Sequence, residues 1–119
     1  FTVKTREAFY QLAVKQNRYS ETIPIVIALI HQERTNANDQ HKILNWFIEL
    51  YALYKKTDQI QYEVPTLESI ATLTKKIMGA DTESYKQATI ALADCYCRQK
   101  DYTKFDILIS RYSLDISCG

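Results

Sequence analysis

The stretch Leu92-Ala93-Asp94-Cys95-Tyr96-Cys97-Arg98-Gln99-Lys100-Asp101-Tyr102 decides the fold, because three of its residues have counterparts upstream at a fixed distance. Leu92 answers to Leu50 and Phe9, at separations of 42 and 41 residues. The same offsets relate Tyr96 to Tyr54 and Ala13, and Tyr102 to Ile60 and Tyr19. Each set falls in the same order along a helix, a polar break and the start of a second helix. A period of this length marks helical hairpins, each too small to bury its apolar face alone and each sharing a core with its neighbour.

Working outward from these joints, apolar periodicity predicts six helices. Val3, Ala8, Phe9, Leu12 and Ala13 mark the first, over 3–16, which ends at the polar Gln16-Asn17-Arg18. Ser20 is the expected cap of the second, with Glu21 at the positive end of the helix dipole and Pro24 in the first turn. Ile23 to Ile30 is then apolar all round, as in a helix at the middle of a core. The polar residues 34–40 lead to a third helix at about 40–56, with Ile43, Phe47, Leu50 and Tyr54 as its stripe and Trp46 and Leu53 beside them. A connection over 57–64 reaches Pro65, suited to the first turn of a fourth helix at 66–78 that buries Leu67, Ile70, Ala71, Leu73 and Ile77. Gly79 stops it, and Asp81 or Thr82 caps a fifth helix over 83–98. The sixth, 102–113, carries Phe105, Leu108, Ile109 and Tyr112 on one face. The expected architecture is all-α: six helices in three antiparallel hairpins, about 3–33, 40–78 and 83–113, in a single domain spanning 1–119.

Composition agrees and excludes other classes. With only two Gly and two Pro in 119 residues the chain lacks the turns of a sandwich or barrel, and 46% hydrophobic content excludes disorder. Fifteen Lys and Arg against fourteen Asp and Glu leave a net charge of +1, without the concentrated basic field of a nucleic-acid binder. The longest apolar run, Ile23 to Ile30, is eight residues, against the ~20 of a membrane-spanning helix. Cys95, Cys97 and Cys118 are odd in number and bunched, which predicts no disulfide framework and a reducing, cytoplasmic setting. Because the chain starts at Phe1 without an initiator Met, a segment of a longer protein is expected.

The third hairpin, Ala88 to Leu114, resembles a tetratricopeptide repeat, whose first helix carries a Leu, a small residue and a Tyr before a Gln-Gly-Asp-Tyr-like turn. Leu92, Ala93 and Tyr96 stand at those places, followed by Gln99-Lys100-Asp101-Tyr102. The first hairpin is similar at its turn, Gln16-Asn17-Arg18-Tyr19-Ser20-Glu21, but has Tyr10 at the small position and Ala13 at the Tyr position. The middle one keeps Leu50 and Tyr54, has Tyr51 at the small position, and carries an insertion around Gln61 to Val64. The family's period is about 34 residues, whereas a spacing near 41 falls in the range of HEAT-type repeats, so the chain reads as tetratricopeptide-like. The resemblance implies a short right-handed α-solenoid and a protein–protein interaction scaffold or adaptor that takes a partner peptide or subunit on its concave face. The alternative is a self-association module of a larger assembly.

Catalytic chemistry finds no support in the motifs, so the chain is read as a non-enzyme without cofactor, metal or small-molecule substrate. His31 and His41 lack the four-residue spacing of a helical metal site, Cys95 and Cys97 diverge by about 200° around one helix, and the only glycines, Gly79 and Gly119, build no phosphate loop. Asp81 and Glu83 suit a helix start, and most of the nine tyrosines are expected to pack. The 41 and 42 offsets align Lys15, Lys56 and Arg98, with Lys55 beside the second, as a basic ladder at the ends of the first helices. Cations there are also favoured by the helix dipole. With Gln11 and Asp94 on the inner faces they are the expected partner-binding residues, for a partner of acidic character. The family's carboxylate clamp of Lys and Asn is not reproduced, since Glu7, Gln11, Ile48, Ala52, Ile90 and Asp94 occupy the comparable places. Self-association as a homodimer would use Phe105, Ile109 and Tyr112.

Overall fold

A computed structural model describes the backbone of residues 3–15, 18–114 and 116–118, and the side chains of these except residues 3–5 and 13. Gln16 and Asn17 of the first turn, the side chains of Val3 and Ala13, and Gly119 lie outside the described residues. Among the described residues there are six α-helices and no strand: α1 (Val3–Lys15), α2 (Tyr19–Thr35), α3 (Gln40–Lys56), α4 (Ile60–Met78), α5 (Glu83–Arg98) and α6 (Tyr102–Tyr112). The chain divides into two compact units, Phe1–Gln59 and Ile60–Gly119, and the division falls inside the 40–78 stretch expected as the middle hairpin.

In the first unit α2 packs against both α1 and α3. Arg6 Nη1, early in α1, donates to the Ala28 carbonyl late in α2 (3.4 Å), so these helices run antiparallel. Lys56, at the end of α3, stands 4.5 Å over the ring of Tyr19 at the start of α2, so the same holds there. It follows that α1 and α3 run in the same direction. Val26, Leu29 and Ile43 form the driest part of the core, each at most 2% exposed. Asp39 starts α3 by accepting from the His41 and Lys42 amides (3.0 and 3.3 Å).

Three expectations fail here for local reasons. α2 begins at Tyr19 with Arg18 as its N-cap residue, and Ser20 sits inside the helix without capping it. The first turn is closed instead by the Thr22 hydroxyl on the Arg18 carbonyl (2.7 Å) and an Arg18–Glu21 ion pair (3.0 Å). α2 is not buried all round: Pro24 and Ile27 face solvent, which also places the carbonyl that Pro24 leaves unbonded, that of Ser20, on the wet side. Finally, Phe9 is 48% exposed while Tyr10 is buried, so the first hairpin departs by one residue from the register of Leu50 and Leu92, both buried.

In the second unit α5 packs between α4 and α6. α4 starts at Ile60, six residues before the expected position, and Pro65 lies within it on the exposed side. The extension buries Glu63 and Val64, and Glu63 meets Arg98 of α5 across 35 residues of sequence. Tertiary pairing thus makes helix of a stretch that local polarity marks as a connection. Thr82 caps α5 through the Tyr85 amide (3.3 Å), as expected, and Gly79 leaves α4 at φ 99°. A further departure concerns the cysteines, since Cys97 and Cys118 are bonded to each other and only Cys95 is free. One bond is not a framework, but it is a pairing that the odd and bunched cysteines do not signal: Cys118, beyond α6, lies beside the last turn of α5, with the two Cα atoms 5.5 Å apart.

The turns that close α3 and α5 are the same structure. Thr57, Asp58 and Gln59 amides donate to the Leu53, Lys55 and Tyr54 carbonyls, and 42 residues on Gln99, Lys100 and Asp101 donate to Cys95, Cys97 and Tyr96. Asp58 and Lys100 both adopt the left-handed conformation, at φ 55° and 61°. Tyr54 and Tyr96, equivalent in sequence, are each 8% exposed.

Candidate functional site

Because α1 and α3 lie side by side on α2, a groove runs between them, a cavity of about 480 Å³ lined by Tyr10, Gln11 and Val14 from α1 and Asn45, Trp46, Ile48 and Glu49 from α3. Tyr10 spans it, donating its hydroxyl to Glu49 Oε2 at 2.5 Å and setting its ring edge-on to Trp46, with centroids 5.1 Å apart at 89°. Burial first, then the hydrogen bond to Glu49 and the Glu49 charge, push the Tyr10 phenol well above its ordinary range, so it remains a donor at neutral pH. Two helices are thereby tied by one short bond and one aromatic contact. Trp46 is half-buried and Ile48 is 44% exposed, so the groove offers apolar surface beside the polar edges of Gln11, Asn45 and Glu49. This combination suits capture of an apolar side chain flanked by hydrogen-bonding groups.

The expected partner-binding residues are distributed as follows. Gln11 lines the groove. Lys15 ends α1 and Lys55 and Lys56 end α3, so all three fall at the same end of the first unit, with Lys55 5.5 Å over the Tyr51 ring and Lys56 over Tyr19. Arg98 and Asp94 bind each other in the second unit, Arg98 Nε donating to Asp94 Oδ2 at 3.0 Å. Arg98 Nη2 also reaches Glu63 Oε1 at 3.0 Å, and the hydrogen bond to Glu63 is the chief reason its pKa is raised. The Cys95 thiol completes the cluster, accepting from Arg98 Nη2 (3.1 Å) and donating to Glu63 Oε1 (3.7 Å). Desolvation pushes its pKa up to about 11, against the lowering effect of Arg98, so it is a protonated packing group at neutral pH.

Of the residues expected to self-associate, Phe105 is buried, Ile109 is half-buried, and the half-buried Tyr112 has its hydroxyl 2.6 Å from that of Tyr85. The apolar surface of α6 is carried by Tyr102 and Ile107, 53% and 52% exposed. A second cavity, about 560 Å³, lies in the second unit among the start of α5, Tyr112, Leu114 and Ile116. Among the described residues no group of His, Cys, Asp and Glu converges to hold a metal ion, and no helix is long and apolar enough to cross a membrane.

Sequence reading missed Glu63, Tyr10, Glu49 and the Cys97–Cys118 pair as features of these sites. Their partners lie 21 to 39 residues away, and no local spacing signals them. No protein-family model matches the chain, and no curated protein is detectably similar to it in sequence.

Proposed function

We propose that this chain is a protein-interaction scaffold, built from tetratricopeptide-like helical hairpins, that binds a segment of a partner protein in the groove between α1 and α3. The observation that carries the proposal is the groove itself: Trp46 and Ile48 left partly exposed beside a Tyr10–Glu49 tie that fixes the spacing of its walls. Recurrence of one turn geometry at 57–59 and 99–101 supports the repeat reading. The partner segment supplies one or two apolar anchors for Trp46 and Ile48, with acidic residues toward the end marked by Lys15, Lys55 and Lys56. Arg98 takes little part, being neutralised by Glu63 and Asp94. The Cys97–Cys118 bond weighs against the reducing cytoplasm expected from the cysteine count.

The test is selection of binders from a random peptide library on the immobilised chain, followed by titration against wild type and Ile48→Asp. We expect selected peptides to carry apolar anchors and to lose affinity about tenfold or more on Ile48→Asp, as loss of a central anchor contact does. Equal affinity for both would remove the groove, and failure to select any peptide would remove the scaffold reading. The self-association alternative draws on Tyr102 and Ile107 of α6, and sedimentation at rising concentration tests it directly.

A further inference from the structure

The residues that follow α6 run along α5. α6 ends on Ser113, whose left-handed backbone (φ 52°) turns the chain back, with the Ser113 and Leu114 amides both bonded to the Ile109 carbonyl. At that point the chain is beside the start of α5, because the Tyr112 and Tyr85 hydroxyls are 2.6 Å apart and their rings meet edge-on at 5.6 Å. Six residues later Cys118 is bonded to Cys97, in the last turn of α5. From Tyr85 to Cys97 is twelve residues of helix, about 18 Å, and six residues of chain reach at most about 21 Å when extended. Six residues are therefore enough to span the length of helix between the two contacts. Burial agrees, since Leu114 is buried and Ile116 and Cys118 are half-buried while Ser117 is exposed, the two-residue alternation of extended backbone. Between this segment and α5 lies the cavity of about 560 Å³, where Leu114 and Ile116 face Lys86, Thr89 and Ile90.

We propose that the stretch carrying Leu114, Ile116 and Cys118 is a redox-releasable strap: the Cys97–Cys118 bond holds these residues over one face of α5, and its reduction opens that face to an extended segment of another protein with apolar residues two apart. The occupant is defined by what it replaces, Leu114 and Ile116, over Ile90 and the start of α5. The chemistry is thiol–disulfide exchange with a dithiol reductant. One reductant thiolate attacks Sγ of Cys97 or Cys118 and breaks the S–S bond, and its second thiol resolves the mixed disulfide. The protein gains two electrons and two protons as two thiols, and the reductant leaves as a disulfide. Both cysteines are half-buried, whereas Cys95 is fully buried and takes no part. The strap and the groove between α1 and α3 belong to different units, so either can stand without the other.

The experiment compares the full chain, oxidised and after dithiothreitol, by thiol titration and hydrogen exchange, with Cys118→Ser as a released variant. Before reduction the denatured protein should show one free thiol, Cys95. After reduction, exchange across the strap and across the Lys86 to Ile90 stretch should rise on the order of tenfold, and Cys118→Ser should behave the same without reductant. The octapeptide Tyr-Ser-Leu-Asp-Ile-Ser-Ser-Gly should bind a Leu114→Asp/Ile116→Asp/Cys118→Ser chain, shown to be helical by circular dichroism, and not the oxidised wild type. Three free thiols in air-purified protein would overturn the proposal. So would exchange unchanged by reduction, which would make the bond a static staple, or absence of peptide binding once the strap is undocked.

Discussion

Arg98→Ala and Glu63→Gln remove the same ion pair and should have different effects. The Glu63 side chain is 2% exposed and that of Arg98 38%, so loss of the arginine strands a buried carboxylate while neutralising the glutamate leaves a partly solvated cation with Asp94 still beside it. Breaking a fully buried pair costs about 3–5 kcal/mol. With the arginine partly in water, we expect about 2–3 kcal/mol for Arg98→Ala and about 1 kcal/mol for Glu63→Gln, measured by urea unfolding. Equal losses would mean that Glu63 is reached by water. Cys95 adds a pH effect. Its ordinary pKa of 9.0 rises to about 11 in the fold, so the native state holds a proton that the unfolded state releases. That contribution is fully present below pH 9 and lost as pH climbs toward 11. The fall in Tm between pH 9 and 10.5 should therefore be shallower in Cys95→Ala than in wild type. None of this cluster is legible in the sequence, where Glu63 sits in a polar stretch and Arg98 reads as a cation at a helix end.

Two helices, α3 and α5, have the limits that periodicity and capping predict, because Asp39, Thr82 and the breaks after Lys56 and Arg98 are local signals. The start of α4 is not legible, since its first turns are held by α5 rather than by their own composition. The turns at 57–59 and 99–101 show how a local rule is bent without loss of the structure. Each places a non-glycine residue, Asp58 or Lys100, in the left-handed region. Such a residue strains the turn by roughly 1–2 kcal/mol, and glycine relieves this while giving back about 0.5–1 kcal/mol of unfolded-state freedom. Lys100→Gly should thus stabilise the protein by about 0.5–1 kcal/mol, read from the urea midpoint. Destabilisation by Lys100→Gly would show that the lysine side chain makes contacts that outweigh the backbone strain.

At the largest scale, an all-helical fold is what low Gly and Pro content and the 41–42-residue offsets predict, and the described residues form six helices. The division at Gln59 is not predicted, because hairpin spacing says nothing about which hairpins share a core. Units of about 60 residues are marginal by surface-to-volume scaling. The second carries a bond closing 21 residues, worth about 3 kcal/mol if loop entropy governs it. We therefore expect an isolated 60–119 fragment to melt cooperatively when oxidised, with a Tm lowered by at least several degrees on reduction, followed by circular dichroism. A fragment without a cooperative transition would show that the unit does not fold alone.

Occupancy of the groove between α1 and α3 by a partner segment is directly observable at Trp46. Trp46 is the only tryptophan and lines that groove against Tyr10, so its indole N–H gives one assigned signal inside the proposed site. The most direct measurement is therefore a heteronuclear NMR titration of the chain with a library-selected peptide, in wild type and in Ile48→Asp. We predict saturable shifts of the Trp46 indole and of the Gln11, Asn45 and Ile48 amides in wild type, and their loss in the variant. Saturable binding that leaves the Trp46 indole unmoved would contradict the account.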